Sequence, residues 1–176
     1  MIASVVLGFS CGGKKNTGNI CFEAETLRGK TVEFSHTEYG MVSISAKNME
    51  KMSAMDQNGM PVYPTNDIAD TFVAGPNVVM KNRQGLCVRF NVPEINSNDY
   101  LIIKVETRLP KEIVLNGEKT SSIDASYRYD SRYSGKTEYI WFLFDDAYKE
   151  LMIPGTWKLE LFSNDSPVYR AEYSVK

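Results

Sequence analysis

Histidine is nearly absent from this sequence: His36 is the single one in 176 residues. A Ser-His-Asp or Cys-His arrangement would have to use it, and no Gly-x-Ser-x-Gly elbow is present. Cysteine is scarce as well. Cys11, Cys21 and Cys87 are scattered without the paired spacing of a zinc site. Long apolar runs are missing. The longest, Ile2 to Phe9, falls far short of the roughly 20 residues that span a bilayer. Charge of neither sign dominates, with 20 Lys and Arg against 22 Asp and Glu and a net charge of −2. That balance gives no basis for a nucleic-acid footprint, which would need Lys and Arg clustered on one face, and no nucleic-acid partner is expected. There is no internal repeat and no low-complexity tract. These absences predict a protein that is not an enzyme and carries no metal or cofactor.

What is present begins at the N-terminus. Residues 2–10, Ile-Ala-Ser-Val-Val-Leu-Gly-Phe-Ser, have the length and apolarity of a secretory h-region ending in a small residue. Cys11 follows at once, and residues 12–19, Gly-Gly-Lys-Lys-Asn-Thr-Gly-Asn, contain nothing apolar to bury. The stretch resembles a bacterial lipoprotein signal, in which a thiol after a small residue is acylated and becomes the mature N-terminus. No Lys or Arg precedes the apolar run, so a charged n-region is missing or lies upstream. The resemblance implies a signal-like segment over 1–10, lipidation of Cys11, a tether over 11–19 and a single domain over 20–176. A flexible tether of this length reaches roughly 15 Å. The implied location is the bacterial cell envelope, with the membrane as a partner through the lipid. The competing reading makes the same residues an ordinary first strand, with Cys11 a small hydrophobe. Cys21 and Cys87 could close one disulfide in an oxidising compartment; the placement of Cys87 in an apolar strand favours two buried thiols instead.

Period-two alternation dominates the C-terminal half. Leu86, Val88, Phe90 and Val92 share one side of a strand, as do Leu101, Ile103 and Val105 of the next. Ile113 to Leu115 stops at Asn116-Gly117, a strong turn dipeptide. Tyr139 to Phe144 is apolar on both sides, as expected of a strand in the middle of a sandwich. Trp157, Leu159 and Leu161 lead through a turn at Ser163 to Ser166 into a closing strand bearing Tyr169, Ala171, Tyr173 and Val175. Strand-like stretches also lie at 20–26 and 31–46. The only helix candidate is short, near 48–57, with Met49, Met52 and Met55 at intervals of three and Gly59 as its stop. The fold class predicted is all-β, an antiparallel β-sandwich.

The sequence from Ile153 to Leu161, in which a Pro-Gly corner feeds a Trp-led strand, pairs with a terminal strand ending Tyr173-Ser174-Val175. With Glu38-Tyr39-Gly40 and the aromatic run ending Phe144-Asp145, it resembles a family of short, uncharacterised bacterial domains found in predicted lipoproteins. The resemblance spans roughly Glu38 to Val175. It implies an immunoglobulin-like β-sandwich in the envelope and no activity for any residue.

Few residues invite a chemical role. Asp145-Asp146 ends an apolar strand, but no calcium-loop pattern surrounds it. Neither Gly12-Gly13-Lys14-Lys15 nor Gly85 sits in a phosphate-binding context. Trp141 and Trp157 lie in register with apolar neighbours and are expected in the core, not on a sugar-stacking platform. Tyr127, Tyr129 and Tyr133 alternate with Arg128, Asp130 and Arg132. The tyrosines of such a strand either cover the core edge or, with Arg128 and Arg132, present a partner or ligand surface. The expected role is therefore a lipid-anchored binding or structural module with an envelope protein or glycan as partner. The alternative is a carbohydrate-binding accessory domain of an envelope glycan system.

Overall fold

The computed structural model describes residues 20–52 and 65–176. The described elements, in chain order, are β1 (Ile20–Glu25), β2 (Thr31–Ser43), α1 (Ala46–Met52), a 3-10 turn (Thr65–Asp67), β3 (Thr71–Ala74), β4 (Asn77–Val78), β5 (Gln84–Asn91), β6 (Tyr100–Leu115), β7 (Glu118–Asp130), β8 (Thr137–Leu143), a second 3-10 turn (Lys149–Leu151), β9 (Gly155–Ser163) and β10 (Ser166–Val175). They form two five-stranded sheets. One has the order β1-β2-β5-β8, with β3 added on β2; the other runs β4-β10-β9-β6-β7. Every pairing is antiparallel except that of β4 with β10. No described helix is long and apolar enough to cross a membrane.

Alternation decides which side of each strand meets the other sheet. Leu86, Val88 and Phe90 of β5 are fully buried, as are Trp157, Leu159 and Leu161 of β9. They belong to one continuous cluster with Leu101, Ile103 and Val105 of β6 and Ala171, Tyr173 and Val175 of β10. At one end Phe22 stacks on Phe34 with centroids 4.6 Å apart, and Phe90 meets Phe34 edge-on at 5.1 Å. Edge-on and offset contacts of this kind add to plain area burial, because the ring edge is positive and the face negative. The turn chemistry also follows the sequence. Asn116 and Gly117 adopt φ of +51° and +85°, and Asn164 and Asp165 adopt +48° and +61°. Such left-handed pairs match the strand twist of a two-residue hairpin.

Several expectations are revised. The helix begins at Ala46, where Ser45 accepts from the Met49 amide at 3.0 Å, so it starts earlier than the methionine spacing implied. The remainder of that expectation, from residue 53 through Gly59, lies outside the described residues. Residues 31–43 are one long strand, interrupted by a register shift between Ser35 and Glu38 where His36 takes φ +52°. Likewise β6 continues through Pro110 to Leu115. Its pairing with β9 ends at Arg108, and its pairing with β7 shifts between Arg108 and Ile113. Pro110, which lacks an N–H, therefore falls where no regular ladder needs one. The expected absence of a Cys21–Cys87 disulfide holds, since Cys87 is a free, fully buried thiol; Cys21, in contrast, is only half-buried.

The two-sided apolar strand is not central. β8 is the edge of its sheet, and its second side is covered by another route. The segment from Thr65 crosses the outer face of the first sheet and joins β2 as β3. Beneath it lies a second apolar cluster of Val42, Cys87 and Tyr139, with Ala69, Phe72, Trp141 and Leu143 packed around it. Ile68 of the same segment is 2% exposed.

Candidate functional site

The tyrosine segment does not present its rings to solvent. Tyr129 is 2% exposed and Tyr133 8%; their rings meet edge-on at 5.6 Å, and Tyr129 also packs against Phe90. Tyr127 is half-buried, and its hydroxyl donates to the Trp141 carbonyl at 3.2 Å, joining the edge strands of the two sheets. Alternation holds only to Asp130, where β7 ends; Tyr133 turns into the core from the following turn. The arginines behave differently. Arg128 lies 4.0 Å over the Tyr100 ring, and Arg132 forms an ion pair with Asp130 at 3.0 Å. Tyr127, Tyr129, Tyr133, Arg128 and Arg132 thus do not form one exposed surface, because the Tyr129 and Tyr133 rings are buried in the core, while Arg132 lies 5.7 Å over the Tyr133 ring.

Burial pushes the Tyr129 hydroxyl well above its ordinary titration range. Among the described residues, that hydroxyl has no hydrogen-bond partner. An unmade bond of a buried polar group costs about 1–3 kcal/mol. Tyr129→Phe is therefore expected to leave stability unchanged or raise it by about 1 kcal/mol, measured by urea denaturation. A loss of that size would reveal a bound water or other partner at the hydroxyl.

The other candidate residues have structural roles. Trp157 is fully buried, with its indole N–H donating to the Ile153 carbonyl at 2.9 Å. Trp141 is half-buried on the outer face of the first sheet, stacked on Tyr139 at 6.2 Å. His36 is exposed at the strand bulge, 3.2 Å from both the Ser35 hydroxyl and the Asn91 amide. Asp145 caps a turn by accepting from the Ala147 amide at 2.8 Å. Among the described residues no three His, Cys, Asp or Glu side chains are grouped as a metal site. Cys11 lies outside the described residues.

What the fold does assemble is an apolar cleft of about 440 Å³ at one end of the seam between the sheets. Its walls include Met49 and Met52 from α1, Leu115 and Ile123 from the β6–β7 hairpin, and Phe142 and Leu143 from β8. Arg83 and Asp145 stand at its rim. Arg83 is exposed and holds φ +63°, fixed by hydrogen bonds from its amide to the Phe144 carbonyl and from the Ile44 amide to its own carbonyl, both 2.9 Å. Pre-formed apolar concavities with a few polar groups are the usual form of a binding site. Sequence reading missed this one because its walls come from four separate stretches of chain. The only local signal was the methionine spacing of the helix.

No family model matches the chain, and no curated protein matches it. Among solved structures it is similar to an immunoglobulin-like protein from Pseudomonas aeruginosa. The match has 13% identity and a TM-score of 0.54, covering 80% of this chain and 91% of that one. At that identity the likeness speaks for the fold alone: this chain is an all-β, immunoglobulin-like sandwich of two mostly antiparallel sheets, with one short helix among the described residues.

Proposed function

We propose that this chain is a lipid-anchored module of the bacterial cell envelope that binds a protein or glycan partner and catalyses no reaction. The observation that carries the binding role is the apolar cleft between α1, the β6–β7 hairpin and β8. Strand pairing holds the β6–β7 hairpin and β8 walls in place, so little ordering entropy opposes a ligand on that side. The anchor rests on the apolar run before Cys11 and on the polar stretch behind it, which would hold the sandwich clear of the bilayer. The alternative, a carbohydrate-binding accessory domain, is favoured by one feature, the half-exposed Trp141 ring on a sheet face. Its stacking partner Tyr139 is only 5% exposed, so a sugar would find one ring and not a platform.

The test takes both parts. Full-length protein grown with an alkyne fatty acid should be labelled and partition into detergent, and Cys11→Ser should lose both properties. Labelling that persists in the variant, or an intact mass short of two hydrogens for a Cys11–Cys21 disulfide, would overturn the anchor. For the cleft, anilinonaphthalene sulfonate should bind the native protein with saturable fluorescence. Ile123→Gln should abolish that signal without lowering the cooperativity of unfolding. Equal binding by the variant would remove the cleft as the site.

A further inference from the structure

Glu138 is an unusual residue for the edge of a sandwich. It is 1% exposed, at the start of β8, facing Phe90 across the pair with β5. One carboxylate oxygen, Oε2, accepts from the Thr65 amide at 2.9 Å and from the Thr65 hydroxyl at 2.5 Å. The Thr65 hydroxyl oxygen also accepts from the Tyr139 amide at 2.6 Å. This small knot fastens the front of the crossing segment to the sheet edge. The far end is fastened separately, by β3 pairing with β2 and by Asp70, whose carboxylate takes bonds from Ser45 and from Asn48. The second oxygen of Glu138, Oε1, is buried with no hydrogen-bond partner among the described residues. A charged carboxylate with one oxygen stranded in apolar surroundings is costly, whereas a protonated one keeps both bonds to Thr65 and carries no charge.

We propose that Thr65–Ala69 is a releasable latch over the outer face of the first sheet, tightened when Glu138 holds a proton and loosened when it loses one. Release would uncover the Cys87 thiol and the Tyr139 ring, beside the already half-exposed Trp141.

The surroundings favour the neutral form. Burial is the largest influence and raises the carboxyl above its ordinary range, opposed by the Thr65 bonds; Lys136 favours the charge and Asp67 opposes it. The neighbouring phenols of Tyr127 and Tyr129 are themselves pushed up by burial, so they stay neutral across the range concerned. A carboxyl that binds its proton more tightly in the latched state stabilises that state fully below its ordinary titration range. The contribution then declines as pH rises through that range and levels off above the raised value. Cys87 is a suitable reporter, because it is fully buried and its thiol faces the Gly40 carbonyl at 3.5 Å.

The experiment measures maleimide labelling of the Cys87 peptide by mass spectrometry on the full chain. Each rate is divided by that of the urea-unfolded chain at the same pH, which removes the ordinary thiol dependence. In the wild type the normalised rate should rise by up to about tenfold per pH unit within the window and then level off. In Glu138→Gln, which keeps an acceptor for Thr65 without a charge, it should stay at the low acidic level throughout. A wild-type rate that is flat with pH overturns the proposal, as does a Gln variant that retains the rise. So does labelling that increases with dilute urea as steeply as global unfolding, since a local opening exposes little surface.

Discussion

Trp157→Ala is expected to remove about 3–5 kcal/mol of stability, enough to unfold a marginal domain outright. The indole is fully buried in β9, between the sheets. It packs against Phe142 at 5.2 Å and edge-on against Phe144 at 5.5 Å. Truncation opens a cavity the size of two fused rings among side chains fixed by strand pairing on both sheets, which cannot collapse to fill it. It also strips the Ile153 carbonyl of its donor at 2.9 Å, leaving a buried acceptor unpaired. Chemical denaturation followed by far-ultraviolet circular dichroism measures the effect. Trp157→Phe should recover part of the loss, because it restores ring volume but not the indole N–H. A Trp157→Ala variant melting within a degree or two of the wild type would contradict the packing described above.

A comparably large loss is expected from Gly85→Ala, the addition of a single methyl group. Gly85 pairs with Leu143 in the β5–β8 ladder. A Cβ at this position would collide with the Phe142 carbonyl oxygen and lie 2.8 Å from the Leu143 Cα. Those are backbone atoms of the neighbouring strand, so no rotamer change relieves the clash. The strands would have to part where Phe144 bonds back to Gln84 and Arg83. Overpacking of this kind typically costs about 1–3 kcal/mol, and here it falls on backbone, so the upper end is expected. The shift shows as a lowered urea midpoint. Because the strained region borders the cleft at Phe142 and Leu143, anilinonaphthalene sulfonate binding should weaken with it. An unchanged midpoint would mean that β5 and β8 are further apart than described.

The two variants differ in how far they could be foreseen. Trp157 announced itself through alternation with Leu159 and Leu161, a local pattern that survives in any two-sheet packing. Gly85 showed in the sequence only as a glycine outside any phosphate-binding context, since the atom its Cβ would strike belongs to a strand more than fifty residues away in sequence. The same distinction explains the buried acids. Glu160 alternates with Leu159 and Leu161 and so reads as a solvent-facing residue, yet it is 2% exposed. Arg108 from β6 and Arg170 from β10 close over its carboxylate, and only their convergence across the sheet makes its burial tolerable. Glu138 is buried for a similar reason, with Thr65 as the partner that no local pattern could supply.

The sequence by itself determined the fold class, because period-two alternation, an Asn-Gly turn and a Pro-Gly corner act between near neighbours and leave few other ways to bury the apolar sides. It also determined that the tyrosines of 127–133 and their alternating charges would part to opposite faces up to the end of the strand. Only the tertiary structure decided that β8 lies at an edge, that a crossing segment roofs its outer side, and that methionines, hairpin and strand end meet around a cleft. Those outcomes depend on which distant strands become neighbours. That choice rests on the summed packing of two whole sheets, a quantity no single stretch of residues carries.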